Sequence, residues 1–118
     1  MNTQEINKIL TDAIYTYGED SQIWMAIEEM SELSNALAKY RRGRVTKKDI
    51  CEEIADVEIM CFQMASIFGN TDVEEILQTK MERLKRRLEK HHAIDMVMND
   101  AVETLNKDYE TSTGIKID

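Results

Sequence analysis

Four carboxylates stand at spacings that let them grip one cation. Glu29 and Glu32 are three residues apart, and so are Glu53 and Asp56. On a helix, residues at that spacing are neighbours on one face. The second pair is the more telling. Around it, Ile50, Ile54, Val57, Met60 and Phe62 and their neighbours leave the segment almost without a polar face. A helix apolar all round is buried on most sides. Carboxylates inside it need partners, because desolvating a charge costs several kcal/mol even after relaxation. If the two segments form consecutive antiparallel helices, the pairs face each other as an all-oxygen site. That chemistry suits Mg²⁺ or Mn²⁺, not a metal that prefers thiolate or imidazole. The bland alternative is that these carboxylates pair with basic clusters across helices or between subunits. Glu28 and Glu52 read as surface charges. Glu58 falls inside the apolar arc, as a group behind the metal ligands or as an ion-pair partner.

The elements that must position these residues are helices. Among 118 residues there is no proline and there are only four glycines, so long helices are allowed and the turn chemistry of a sheet is scarce. Apolar spacing predicts a helix from about Gln4 to Tyr17, ended by Gly18. A second runs from a cap at Asp20 or Ser21 to about Tyr40. A third begins at Thr46, with Asp49 completing a capping box, and runs to about Phe68 before Gly69-Asn70. Thr71 with Glu74 suggests another capping box for a fourth helix, reaching about His91. A fifth is expected from about Ile94 to Leu105, with a loose tail from about Tyr109. The fold class is all-α: a small antiparallel bundle of about four core helices plus a C-terminal helix. The expected division is residues 1–92 as the functional domain and 93–118 as C-terminal helix and tail.

Charge narrows the partners. The net charge is −8, which disfavours nucleic acid and anionic membranes as partners. Yet the cations gather in two groups, Lys39 to Lys48 and Lys80 to Lys90, as a compact anionic ligand would require. Cys51 and Cys61 share the third helix about 15 Å apart by helical rise, too far for a disulfide. They read as buried, reduced thiols, and a reducing compartment fits. The N-terminus lacks a signal peptide's apolar run, and no stretch is long enough to span a bilayer. The expected location is the cytoplasm. Phosphate-cradling glycine loops and nucleophile elbows are absent, which argues against P-loop and Rossmann chemistry.

At the carboxylates the chain resembles the MazG-like all-α nucleoside triphosphate pyrophosphatases. That family carries E-E-x-x-E on one helix and E-x-x-D on the next. Here these read Glu28-Glu29-Met30-Ser31-Glu32 and Glu53-Ile54-Ala55-Asp56. The segment from Lys80 to Arg87 is similar to the family's basic segment, with Leu84 where relatives have Asn. The resemblance spans roughly Ile23 to Leu88. It implies Mg-dependent hydrolysis of a ribo- or deoxynucleoside triphosphate to the monophosphate and pyrophosphate. It also implies a homodimer or homotetramer with sites near subunit interfaces. On this reading Glu29, Glu32, Glu53 and Asp56 hold Mg²⁺ (or Mn²⁺), with Glu29 and Glu32 catalytic and Glu32 the expected base. Lys80, Arg83 and Arg87 clamp the pyrophosphate, since a guanidinium fork grips phosphate oxygens bidentately.

Two signals stand outside that frame. Trp24, the only tryptophan, lies off the main apolar stripe and either stacks on a base or packs at an interface. Glu89-x-x-His92 matches one half of a di-iron motif whose second half is missing; the histidines better suit a helix C-terminus. A reading from another class is a non-catalytic helical module that dimerises through Met-rich faces. It leaves the carboxylates of the third helix unexplained.

Overall fold

A computed structural model of the protein describes residues 1–117. It is all-α, with no strand among the described residues: α1 (Thr3–Tyr17), α2 (Glu19–Arg41), α3 (Lys47–Phe68) and α4 (Asn70–Thr113). The chain divides into two units, one of residues 1–73 and one from Glu74 onward. The first holds α1, α2, α3 and the opening turn of α4. The second is the remainder of α4 with the residues that follow it.

Local chemistry fixes most helix ends. Asn2 caps α1, its side-chain oxygen accepting from the Glu5 amide at 2.9 Å. Gly18 closes α1 and opens α2 by itself; with φ of 89° and ψ of 151° it breaks the helix in a single residue. The expected side-chain cap at Asp20 or Ser21 is therefore not used, and both residues lie inside α2. Asp20, with Glu19, instead puts negative charge in the first turn, where the helix dipole favours it. Thr46 and Asp49 form the reciprocal capping box of α3, with the Thr46 amide donating to Asp49 Oδ2 at 2.7 Å. The box expected at Thr71 and Glu74 does not form, because α4 already begins at Asn70, directly after Gly69.

The largest difference from the sequence reading is at residues 91–94. The expected fourth and fifth helices are one continuous helix of 44 residues, and the tail begins at Gly114 rather than near Tyr109. Nothing between His91 and Ile94 breaks a helix: there is no glycine, no proline and no capping side chain. His91 Nε2 lies 3.6 Å from Asp95 Oδ2 one turn later and bridges the expected gap.

In the first unit α2 and α3 form an antiparallel hairpin with α1 packed against both. The core is small: Leu10 of α1, Ala26 of α2 and Met60 of α3 are its buried hydrophobic members. Gln22 and Gln63 are buried beside them. Many large apolar residues of α3 remain exposed, among them Ile54, Ile59, Phe62 and Phe68. Cys51 and Cys61 are free but exposed, which corrects the expectation of buried thiols. Only one side of α3 is covered, and both cysteines fall off it.

Candidate metal and phosphate site

Two stripes bring the carboxylates together. On α2 the covered face runs Gln22, Ala26, Glu29, at spacings of four and three. On α3 the facing stripe runs Glu53, the exposed Asp56, Met60 and Gln63, at three, four and three. Each stripe keeps to one side of its helix. The antiparallel hairpin opposes the two, apolar and amide groups at one end and carboxylates at the other. Glu29, Glu53 and Asp56 thereby offer oxygens that all lie within 4.8 Å of one another. Glu29 and Glu53 are half-buried, and Asp56 is exposed.

The electrostatics of this cluster are unfavourable as it stands. Glu29 Oε2 and Glu53 Oε2 are shielded from water and have no hydrogen-bond partner. Removal from water raises the Glu29 pKa above its ordinary 4.5, and the charges of Glu32 and Asp56 raise it further. Glu53 is raised for the same leading reason, with Glu32 and Asp56 again the foremost charges. An ionised carboxylate is acceptor-only. Two of the three therefore hold an oxygen that no protein donor meets. A hard divalent cation with oxygen ligands fits that donor set.

Glu32 stands outside the three-carboxylate group but close enough to be felt by both Glu29 and Glu53. It lines a cleft of about 320 Å³ with Glu53, Asp49, Asn35 and Lys39. Lys39 is the one cation lining this cleft. Neither Asn35 nor Lys39 stands out in the sequence as a partner of the carboxylates. The available signal is their spacing from Glu32, three and seven residues along the same helix face. The larger cavity, about 590 Å³, lies at the opposite end of the hairpin near Gly18, Tyr15 and Ser66 and contains none of the clustered carboxylates. Its size gives it no claim to the chemistry, since no group of mutually repelling charges lines it.

The other sequence candidates are placed as follows. Lys80, Arg83 and Arg87 are exposed on α4, at i, i+3 and i+7. Lys80 and Arg83 share a shallow recess of the second unit with Thr79. Trp24 is 68% exposed and stands five residues before Glu29, about 140° round the helix. It is not among the residues of the carboxylate cluster. Glu28, Glu52 and Glu58 are all exposed, so the apolar arc around Glu58 does not enclose it.

A sequence model of the MazG nucleotide pyrophosphohydrolase domain matches residues 18–92, well over half of the chain and inclusive of all four carboxylates. No curated protein and no solved structure gives a significant match.

Proposed function

Because the chain belongs to the MazG nucleotide pyrophosphohydrolase domain family, we propose that it hydrolyses a ribo- or deoxynucleoside triphosphate to the monophosphate and pyrophosphate, in nucleotide-pool housekeeping. The observation that carries this is the convergence of Glu29, Glu53 and Asp56, with two buried oxygens that no donor satisfies.

Glu29, Glu53 and Asp56 would hold Mg²⁺, with Glu32 at the edge of the set; Mn²⁺ suits the same oxygens. The ion, when bound, supplies neutralisation of phosphate charge and a more acidic water. The protein's own groups do the rest. Glu32, outside the tight cluster and facing the cleft, accepts the proton of the attacking water. The water oxygen forms its bond to the α phosphorus as the bond from that phosphorus to the α–β bridging oxygen breaks. Pyrophosphate leaves with the bridging oxygen. Lys39, which lines the cleft with Glu32 and Glu53, would meet phosphate oxygens. Lys80, Arg83 and Arg87 are the proposed clamp for pyrophosphate, as a row of cations on one helix face. The exposed ring of Trp24 is the proposed base contact.

The exposed apolar residues of α3 favour an assembly, a homodimer or homotetramer, since a face of that size is normally covered. No helix among the described residues is long and apolar enough to cross a membrane. Two free thiols and a nucleotide substrate suit the cytoplasm, which we propose as the site of action.

The direct experiment measures pyrophosphate release from a panel of nucleoside triphosphates with Mg²⁺ or Mn²⁺. Glu53→Gln and Glu32→Gln are measured beside the wild type. We expect metal-dependent release, abolished by Glu53→Gln. For Glu32→Gln we expect a fall of roughly 10²–10⁴ in kcat, the usual contribution of a general base. Absence of release from every nucleotide by folded protein would instead favour the non-catalytic helical module.

A further inference from the structure

The catalytic reading leaves a second pattern on α4 unused. Polar or apolar, one set of side chains recurs at alternating steps of four and three. Its first half is Leu77, Met81, Leu84, Leu88 and His91; its second is Asp95, Met98, Val102, Leu105 and Tyr109. Strictly alternating steps of four and three repeat every seven residues, which is the pattern of a coiled-coil heptad. Such a seam stays in register only when its helix winds about another. The helix is continuous throughout this stretch and buries none of its residues. The apolar members of the seam are between 45% and 67% exposed.

We propose that this seam pairs with the same seam of a second copy of the chain, antiparallel, about a two-fold axis beside Ala93. The seam is symmetric about that residue. Antiparallel pairing sets Leu77 level with Tyr109 of the second copy, Met81 with Leu105, Leu84 with Val102 and Leu88 with Met98. It also sets His91 level with Asp95. These two are the polar members of the core line, one a base and the other an acid, equidistant from the centre. Within one chain they already approach to 3.6 Å, and across the axis each meets its complement again. Parallel pairing stacks histidine on histidine and aspartate on aspartate instead, which leaves like groups buried together.

The flanking charge selects the same orientation. Residues 78–92 carry six basic and two acidic side chains, a net +4 with histidine neutral; residues 94–110 carry one basic and five acidic, a net −4. Antiparallel pairing lays the basic half of one helix on the acidic half of the other. Parallel pairing opposes basic to basic and acidic to acidic. The arrangement is isologous, so it closes at two copies. Half of the seam lies beyond residue 92, where the family match ends. The pairing therefore stands apart from the catalytic reading, and either can fail without the other.

The test is disulfide trapping in the full-length chain, with Cys51→Ser and Cys61→Ser to remove the exposed native thiols. One variant adds Leu84→Cys and a second adds Val102→Cys. In the proposed pair, residue 84 lies level with residue 102 of the other copy and about 27 Å from the other residue 84. Mild oxidation of the mixture is expected to give cross-linked dimer containing one of each variant, and neither variant alone is expected to cross-link. Self-linking of either variant alone means a parallel pair and overturns the proposal, as does a mixture that never cross-links. Light scattering on Val102→Lys, with helicity checked by circular dichroism, keeps the question open to refutation should the cysteine variants misfold. A halved molar mass is expected; an unchanged mass with the helix retained, or a monomeric wild type, counts against the pairing.

Discussion

Glu29 on α2 and Glu53 on α3 each keep one oxygen, Oε2, out of reach of water and of any hydrogen-bond donor, in a cluster that also includes Asp56. Loss of water, followed by the charges of Glu32 and Asp56, raises the cost of ionising both. The packing of the hairpin holds them there against that repulsion.

A divalent cation is therefore expected to stabilise the fold. At a hundredfold excess over its dissociation constant, Mg²⁺ should add about 2.7 kcal/mol. Glu53→Gln should behave oppositely in both respects. Without metal it should melt above the wild type, since one repelling charge is gone, and added Mg²⁺ should barely move it. Thermal melts of both proteins, with a chelator and with Mg²⁺, read this directly. Equal metal responses in the two would remove Glu53 from the ligand set.

The same carboxyls set a pH dependence in the metal-free protein. Both Glu29 and Glu53 have folded-state values raised above the ordinary 4.5, through loss of water first and neighbouring charge second. The folded state then binds more protons than the unfolded one between 4.5 and the raised values. Their contribution is fully present below 4.5 and is lost as pH rises through the folded values. Asp49 has the opposite sign: hydrogen bonds from Thr46 hold it below its ordinary 3.8, so its contribution is lost as pH falls through its folded value. Urea melts in chelator across mildly acidic pH should show stability falling as the pH rises above 4.5. Glu53→Gln should flatten that slope. A slope unchanged in Glu53→Gln would assign it to other groups.

Gln63 calls for a third test. It is 4% exposed, and its side-chain oxygen has no donor. A buried acceptor left unsatisfied costs roughly 1–3 kcal/mol. Gln63→Met keeps the length and removes the polar atoms, so it should stabilise the first unit by about 1 kcal/mol or more. The midpoint of urea unfolding measures it. A drop in that midpoint would mean that an ordered water reaches the oxygen in the folded protein.

Which of these features can be read from the chain follows from what each depends on. The ends of α3 are legible because the Thr46–Asp49 box and Gly69 act within a few residues of themselves. The approach of Glu29 to Glu53 and Asp56 is legible because the two carboxylate pairs lie on successive helices, although Glu32, the other member of the first pair, falls outside the group. Gln22 and Gln63 escape notice because amide type carries no mark of burial; only their places in the stripes, seven residues from Glu29 and from Asp56, give them away. Cys51 and Cys61 mislead because the apolar surroundings of α3 suggest burial on all sides, whereas the first unit covers one. The expected break at His91 fails for a related reason. Histidines suit a helix end, yet helix continuity depends on backbone breakers, and residues 91–94 contain none.

The junction between α1 and α2 gives the last expectation. A single residue, Gly18, serves as the C-cap of one helix and the N-cap of the other. Its amide donates to the Ile14 carbonyl at 2.9 Å, and its own carbonyl accepts from the Gln22 amide at 3.1 Å. Its φ of 89° with ψ of 151° lies in a region essentially closed to residues with a Cβ. A Cβ built there meets nothing within 4 Å, so space is not the constraint. Gly18→Ala should therefore cost about 1–3 kcal/mol through backbone strain alone. The loss should appear as a lower urea midpoint, with pyrophosphate release per folded molecule unchanged, because the carboxylates sit three turns further along α2. Full stability in Gly18→Ala would mean that α1 and α2 can join through an ordinary backbone conformation.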